Sequence, residues 1–156
     1  AFVLNEKDFE KVRQIILELL VRSESDDCLV CDSGGYVLAK EGADTADPFL
    51  LSALGAGVFA ASRELARILG EDEFSAVFHQ GEKKSIFIRA VNQEILLVDI
   101  FSKFANVGLV KLYATPAATA LRAVFDEIRA RGEAAGGTEK HEFVLTEKQE
   151  IFGSKP

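Results

Sequence analysis

The sequence predicts a single α+β domain built on an antiparallel sheet, and three observations carry that expectation. Apolar residues recur at helical spacing in three separate stretches. Between these stretches lie five short runs rich in β-branched and aromatic residues. Within each group, two runs before the middle helix and three after it, neighbouring runs are joined by a few residues, which suits antiparallel hairpins. A chain of 156 residues fits one core.

The first helix starts at Asn5, a capping residue with Asp8 three positions on. Phe9, Val12, Ile16, Leu17, Leu20 and Val21 then recur at helical spacing, and the pattern ends near Ser23–Ser25. Residues 27–32 read as a strand. Asp32-Ser33-Gly34-Gly35 is a strong turn signal, and Tyr36, Val37, Leu38 and Ala39 follow as the return strand. Residues 41–47 read as a polar loop.

Pro48 suits the first turn of the second helix, and Gly70 closes it. At about 100° per residue this helix sorts into two stripes. Leu51, Leu54, Val58, Ser62, Leu65 and Leu69, with Ile68 beside them, form the large apolar stripe expected to face the core. Opposite lie Ala53, Ala56, Gly57, Ala60, Glu64 and Arg67, small and nearly uncharged for three turns. A solvent-facing stripe normally carries Lys and Glu, so this one is expected to receive another backbone.

Three strands follow, over residues 74–80, 85–91 and 95–101. Short turns at Gly81-Glu82-Lys83-Lys84 and Asn92-Gln93 make them an antiparallel meander, and the unbroken apolar run of the third predicts a central strand. After Gly108, Leu109, Val110, Leu112 and Tyr113, the pair Thr115-Pro116 reads as a cap and N1 proline. Pro116 either starts the last helix or kinks a longer one. Leu121, Val124, Phe125 and Ile128 carry that helix to about Arg131. The expected division is therefore a folded domain over 1–131, a flexible linker over 132–142 and a docking segment over 143–156. Thr146-Glu147-Lys148-Gln149 fits a capping box for a short helix there. Leu145, Ile151 and Phe152 are too few for a core and are available to dock on one.

Hydrophobic residues make up 48% and charged residues 28%, which sets disorder aside. With 18 Lys+Arg against 25 Asp+Glu the net charge is −7, and an acidic chain repels a phosphate backbone, so no nucleic-acid partner is expected. No apolar run approaches the roughly 20 residues of a membrane span, and no basic segment leads into an apolar one as in a signal peptide. A cytoplasmic protein without membrane insertion is the expectation.

Residues suited to chemistry are present but do not converge. Cys28 and Cys31 have redox spacing, yet three positions along a strand they point to opposite faces. They read as core residues of a reducing compartment. His79 and His141 lack ligand-spaced partners. Ser52 and Ser62 have no nucleophile-elbow glycines, and Gly55-Ala56-Gly57 follows no strand, so it cradles no phosphate. Asp26-Asp27 and Glu71-Asp72-Glu73 sit at element ends. Asp99, inside an apolar strand, is the most unusual charge; a perturbed functional acid is one reading, and a strand-end or partly exposed carboxylate is the one favoured on general grounds. No catalytic residue, metal or cofactor is expected. Surplus apolar surface, on the small-residue stripe and in the tail, points to a protein partner.

Several short patterns, taken in order, resemble the roadblock/LC7 family and its bacterial MglB-like branch. They are Cys31-Asp32-Ser33-Gly34-Gly35, the Ala/Gly-rich helix of residues 51–69, Gly70-Glu71-Asp72-Glu73-Phe74, Phe78-His79-Gln80-Gly81, Leu97-Val98-Asp99-Ile100-Phe101 and Gly108-Leu109-Val110-Lys111-Leu112. The resemblance spans residues 6–131. It implies a five-stranded antiparallel sheet with the middle helix on one face and the first and last helices on the other, in the order α-β-β-α-β-β-β-α. It implies a homodimer in which the middle helices lie side by side, through Ala53 and Ala56, and the first meander strands pair edge to edge, through Phe74, Ala76 and Phe78. It also implies binding of an MglA-type Ras-like small GTPase and stimulation of GTP hydrolysis by stabilising a conformation, with no inserted side chain. Carried over by position, the GTPase-facing surface comprises Gly57, Ala60, Ala61 and Glu64, with Arg67 next on the stripe. Ala61 projects toward the core edge, and Arg63 and Glu64 are bulkier than the family's pattern. The looser match of residues 143–152 implies a second contact through Leu145, Ile151 and Phe152.

Two other functions fit parts of the sequence. One is a scaffold that assembles complexes without affecting hydrolysis. The other is a small-molecule sensor, which requires a polar-lined pocket that the sequence does not supply.

Overall fold

A computed structural model describes residues 3–43, 46–102 and 105–153, with side-chain surroundings through residue 134. The elements run α1 (Glu6–Arg22), β1 (Asp27–Asp32), β2 (Val37–Gly42), α2 (Pro48–Ile68), β3 (Ala76–His79), β4 (Lys84–Ala90), β5 (Ile95–Ser102) and α3 (Val107–Gly153). The five strands form one sheet in the order β2-β1-β5-β4-β3, every pair antiparallel. This is the α+β architecture expected, with β5 at the centre and Ile95–Phe101 buried throughout. Burial on both faces is why that strand reads as an unbroken apolar run.

The sheet separates two cores. On one face Val12, Ile16 and Leu19 of α1 and Val110, Ala114, Leu121 and Phe125 of α3 pack over Cys28, Val30, Phe87, Leu97 and Phe101. On the other, Ala56 and Phe59 of α2 pack over Leu29, Cys31, Ile88, Leu96, Val98 and Ile100. Cys28 and Cys31 therefore lie on opposite sides, buried and unbridged. Burial pushes the Cys31 thiol up to about 11.

Local chemistry explains the ends of the helices. Asn5 Oδ1 accepts from Asp8 N at 2.8 Å and Asp8 accepts from Asn5 N at 3.0 Å, a reciprocal capping box. Burial pushes the Asp8 carboxyl up, but the hydrogen bonds from Arg131 and from Asn5 outweigh that and hold it below the usual range. Asp47 caps α2, accepting from Phe49 N and Leu50 N ahead of the Pro48 helix start. In the β1–β2 turn, Gly35 has φ +88°, and a Cβ there would sit 2.8 Å from the Cα of Ala53. Both the backbone and the contact with α2 require glycine.

The last helix departs from the expectation. It begins at Val107, where Asn106 Oδ1 accepts from Gly108 N at 2.8 Å, so Asn106 and not Thr115 supplies the cap. Pro116 lies inside the helix on an exposed position. The carbonyl that loses its partner belongs to Leu112, an exposed residue where solvent has access. Nor does the backbone break over 132–142; it stays helical to Gly153. Glycines there cost about 1 kcal/mol each against alanine without stopping a helix outright, and the intervening Glu and Ala residues favour it. The side chains of Leu145, Ile151 and Phe152 lie outside the described residues.

Candidate functional site

The outer face of α2 carries large apolar side chains, and the helical projection places the helix only in part: Leu51, Val58 and Ser62 of the projected stripe do turn to the sheet. The buried residues of α2 are Ser52, Gly55, Ala56, Phe59, Ser62 and Ala66. Leu54, Leu65, Ile68 and Leu69, expected inside, are 61, 57, 74 and 70% exposed. Phe49 and Leu50 join them outside. The cause lies in the sheet, whose face beneath α2 is already filled by Leu29, Ile88, Leu96, Val98 and Ile100. A helix lying close over such a surface takes small residues. A Cβ on Gly55 would stand 3.7 Å from Ile88 Cδ1, already in van der Waals contact. Phe59 is the one large side chain among the buried residues of α2.

The exposed surface that results has two adjoining lanes. Gly57, Ala60, Ala61, Glu64 and Arg67 are all exposed and share one lane by helical spacing. Ala61, projected toward the core edge, belongs with them in the open. Leu50, Leu54, Leu65 and Ile68 form the second lane. Glu64 and Arg67 pair with each other at 2.9 Å, and both are largely exposed.

Arg63 stands apart from the stripe. Its guanidinium lies 5.2 Å from the Phe59 ring centroid, donates to the Gln93 carbonyl at 2.7 Å, and approaches Glu73 Oε1 at 3.5 Å. It is held against its own domain and does not reach outward.

The residues expected at a self-contact are divided by the structure. Ala53 is exposed, beside the β1–β2 turn. Ala56 is 7% exposed and packs on the sheet of its own chain, which takes it out of any surface. The strand expected over 74–80 is shorter, Ala76–His79, and Phe74 precedes it half-buried. Ala76 and Phe78 are half-buried against the α1/α3 core, with Phe78 stacked on Phe101 at 6.0 Å. Their side chains face inward, so what β3 presents outward is its backbone edge, at the end of the sheet.

His79 is exposed on the edge strand. Among the described residues no group of three or more His, Cys, Asp or Glu side chains could hold a metal ion. Asp99, read as a strand-end or partly exposed carboxylate, is instead fully buried in the middle of β5. By length and composition α2 is apolar enough to cross a membrane, contrary to the reading of its sequence. Its inner side packs on the sheet as a core helix does.

The sequence profile of the Roadblock/LC7 domain matches residues 11–101, and the chain belongs to that family. Within it, the similarity runs to MglB proteins. The gliding protein MglB of Thermus thermophilus is 32% identical, with 81% of this chain and 97% of that one covered and a TM-score of 0.76. MglB of Myxococcus xanthus is 30% identical, with 81% and 96% covered and a TM-score of 0.75. An MglB structure with a tetrameric arrangement is 31% identical, with 82% and 97% covered and a TM-score of 0.79.

Proposed function

We propose that this chain is a regulator in an MglA-type GTPase pathway: a homodimer that binds a Ras-like small GTPase through the outer face of α2 and stimulates its GTP hydrolysis without supplying a catalytic residue. The observation that carries this reading is the exposed apolar face itself. Leu50, Leu54, Leu65 and Ile68 lie in the open beside Gly57, Ala60 and Ala61. A contiguous apolar patch on that scale marks a protein contact. Family membership and the MglB neighbours support the same direction.

The two lanes suit two contacts. Bulky leucines bury the most apolar area per residue, which suits a self-complementary contact between two copies, with the β3 edges pairing beside it. Small residues let another protein's backbone approach closely, which suits the GTPase. Phosphoryl transfer depends on positioning and electrostatics. A regulator that binds the aligned conformation of the GTPase more tightly than the others shifts its population and raises the rate. The C-terminal segment, residues 143–156, is proposed as a second contact through Leu145, Ile151 and Phe152.

The test is binding of the GTP-loaded GTPase to the wild-type chain and to Ala60→Arg. Loss of binding by the variant, with circular dichroism and dimer mass unchanged, supports the surface; retained binding overturns it. Binding without faster hydrolysis converts the reading to the scaffold alternative.

A further inference from the structure

The turn between β4 and β5 is held from both layers of the molecule. On one side Arg63 of α2 donates to the Gln93 carbonyl at 2.7 Å. On the other, Arg129 of α3 pairs with Glu94 Oε1 at 2.8 Å. Asn92 Oδ1 stiffens the turn between them, accepting from Glu94 N and Ile95 N at 2.8 Å each. The Glu94 carbonyl also accepts from Ser33 N of the β1–β2 turn at 2.8 Å, and that turn presses Gly35 against Ala53 of α2. The sheet lies between α2 and α3, so this polar path runs round its end.

The path ends where α3 leaves the domain. Arg129, paired with Glu94, and Arg131, paired with Asp8, are anchors in the last part of α3 that packs on the domain, after Ile128 of the core. Beyond them the helix continues to Gly153. We propose that the β4–β5 turn is a positioning strap, through which a partner on the outer face of α2 alters how firmly the last core-bound turns of α3 are held. This rests on the partner surface proposed above and adds the regulation of that surface. Arg63 is then a positioning residue. A partner that shifts the exposed side of α2 moves the Arg63 guanidinium, the Gln93 carbonyl moves with it, and the adjacent Glu94 tightens or loosens its grip on Arg129. Exposed charge pairs of this kind shift a local equilibrium by roughly two- to five-fold, so a graded effect is expected rather than an all-or-none switch.

Hydrogen exchange measured by mass spectrometry on the full chain tests this in two arms. Without any partner, Arg63→Ala and Glu94→Gln each raise exchange over residues 121–134 by roughly two- to five-fold. Arg67→Ala, which breaks a more exposed pair on α2 that does not touch the turn, leaves that segment unchanged. With the GTP-loaded Ras-like GTPase added, the wild-type segment changes its exchange and the Glu94→Gln segment does not. Unchanged exchange in Arg63→Ala and Glu94→Gln, or an equal effect of Arg67→Ala, overturns the strap. Partner protection of α2 with no change over 121–134 overturns it as well. If the variants loosen α3 but the GTPase protects nothing on α2, the strap stands within the chain and the partner reading fails instead.

Discussion

The Cys28 thiol donates to Asp99 Oδ1 at 3.5 Å across the β1–β5 pair, and both side chains are fully buried. Burial raises the Asp99 carboxyl to about 7, against hydrogen bonds from Ser25 and Cys28 and with help from the charges of Asp26 and Asp27. The same burial, next to Asp99, pushes the Cys28 thiol far up. It is an inert core group, not half of a redox pair.

This buried pair makes stability depend on pH. An unfolded Asp titrates near 3.9, so the folded state binds the proton more tightly. The contribution is complete below about pH 4 and is lost as pH rises through about 7, on the order of a few kcal/mol in all. Asp8 works the other way. Its lowered carboxyl stabilises above the ordinary range and is lost on acidification below it. Asp99→Asn should therefore raise Tm at pH 8 relative to wild type and flatten Tm between pH 5 and 8. Thermal melts followed by circular dichroism check this, and an unchanged slope would remove Asp99 as its cause.

The packing of α2 is tested by two substitutions five residues apart. Phe59→Ala empties a buried site and should cost about 3–5 kcal/mol. Leu54→Ala touches an exposed side chain and should stay within about 0.5 kcal/mol for the isolated chain. Urea unfolding at concentrations where the chain is monomeric gives both values. The reverse order would restore the leucine stripe to the core.

That contrast also marks the limit of what the sequence disclosed. Asn5, the Asp32–Gly35 turn, the buried run of β5 and the meander were readable because each depends on local chemistry or a short period. The outward position of Gly57, Ala60, Glu64 and Arg67 on α2 was readable from their spacing opposite the large apolar stripe. The inward face of α2 was readable only in part, through Leu51, Val58 and Ser62, because that helix is apolar nearly all round. Its inner side is chosen by the bulk of Ile88, Val98 and Ile100 on distant strands. Ala56 was misplaced for the same reason. Pro116 left two readings open, and the second holds: it lies inside a longer helix, where a single missing N–H does not stop the chain at an exposed position. The Arg63–Gln93–Glu94–Arg129 path joins residues that no local pattern connects.

Self-association should depend on the leucine lane. Leu54→Glu combined with Leu65→Glu places charge on the lane proposed for the self-contact, and symmetry counts each change twice. The dimer should weaken by at least ~10-fold, with helical content unchanged. Sedimentation velocity across a concentration series measures it. A wild-type chain that is monomeric, or a variant that dimerises equally well, would move the self-contact elsewhere.

An arginine finger would contribute 10³–10⁵ in rate, on the general scale of such residues. Arg63 is pinned to Phe59 and Gln93, and Arg67 is paired with Glu64. At saturating regulator, Arg63→Ala and Arg67→Ala should each lower stimulated hydrolysis by less than about ten-fold. Single-turnover rates with the GTPase in limiting amount decide it.

The most direct measurement is single-turnover GTP hydrolysis by an MglA-type Ras-like GTPase, alone, with the wild-type protein and with Ala60→Arg. A regulator acting through the outer face of α2 gives faster hydrolysis with wild type and the unstimulated rate with Ala60→Arg, at equal dimer concentration. Hydrolysis unaffected by the wild-type protein, or accelerated equally by Ala60→Arg, would contradict it.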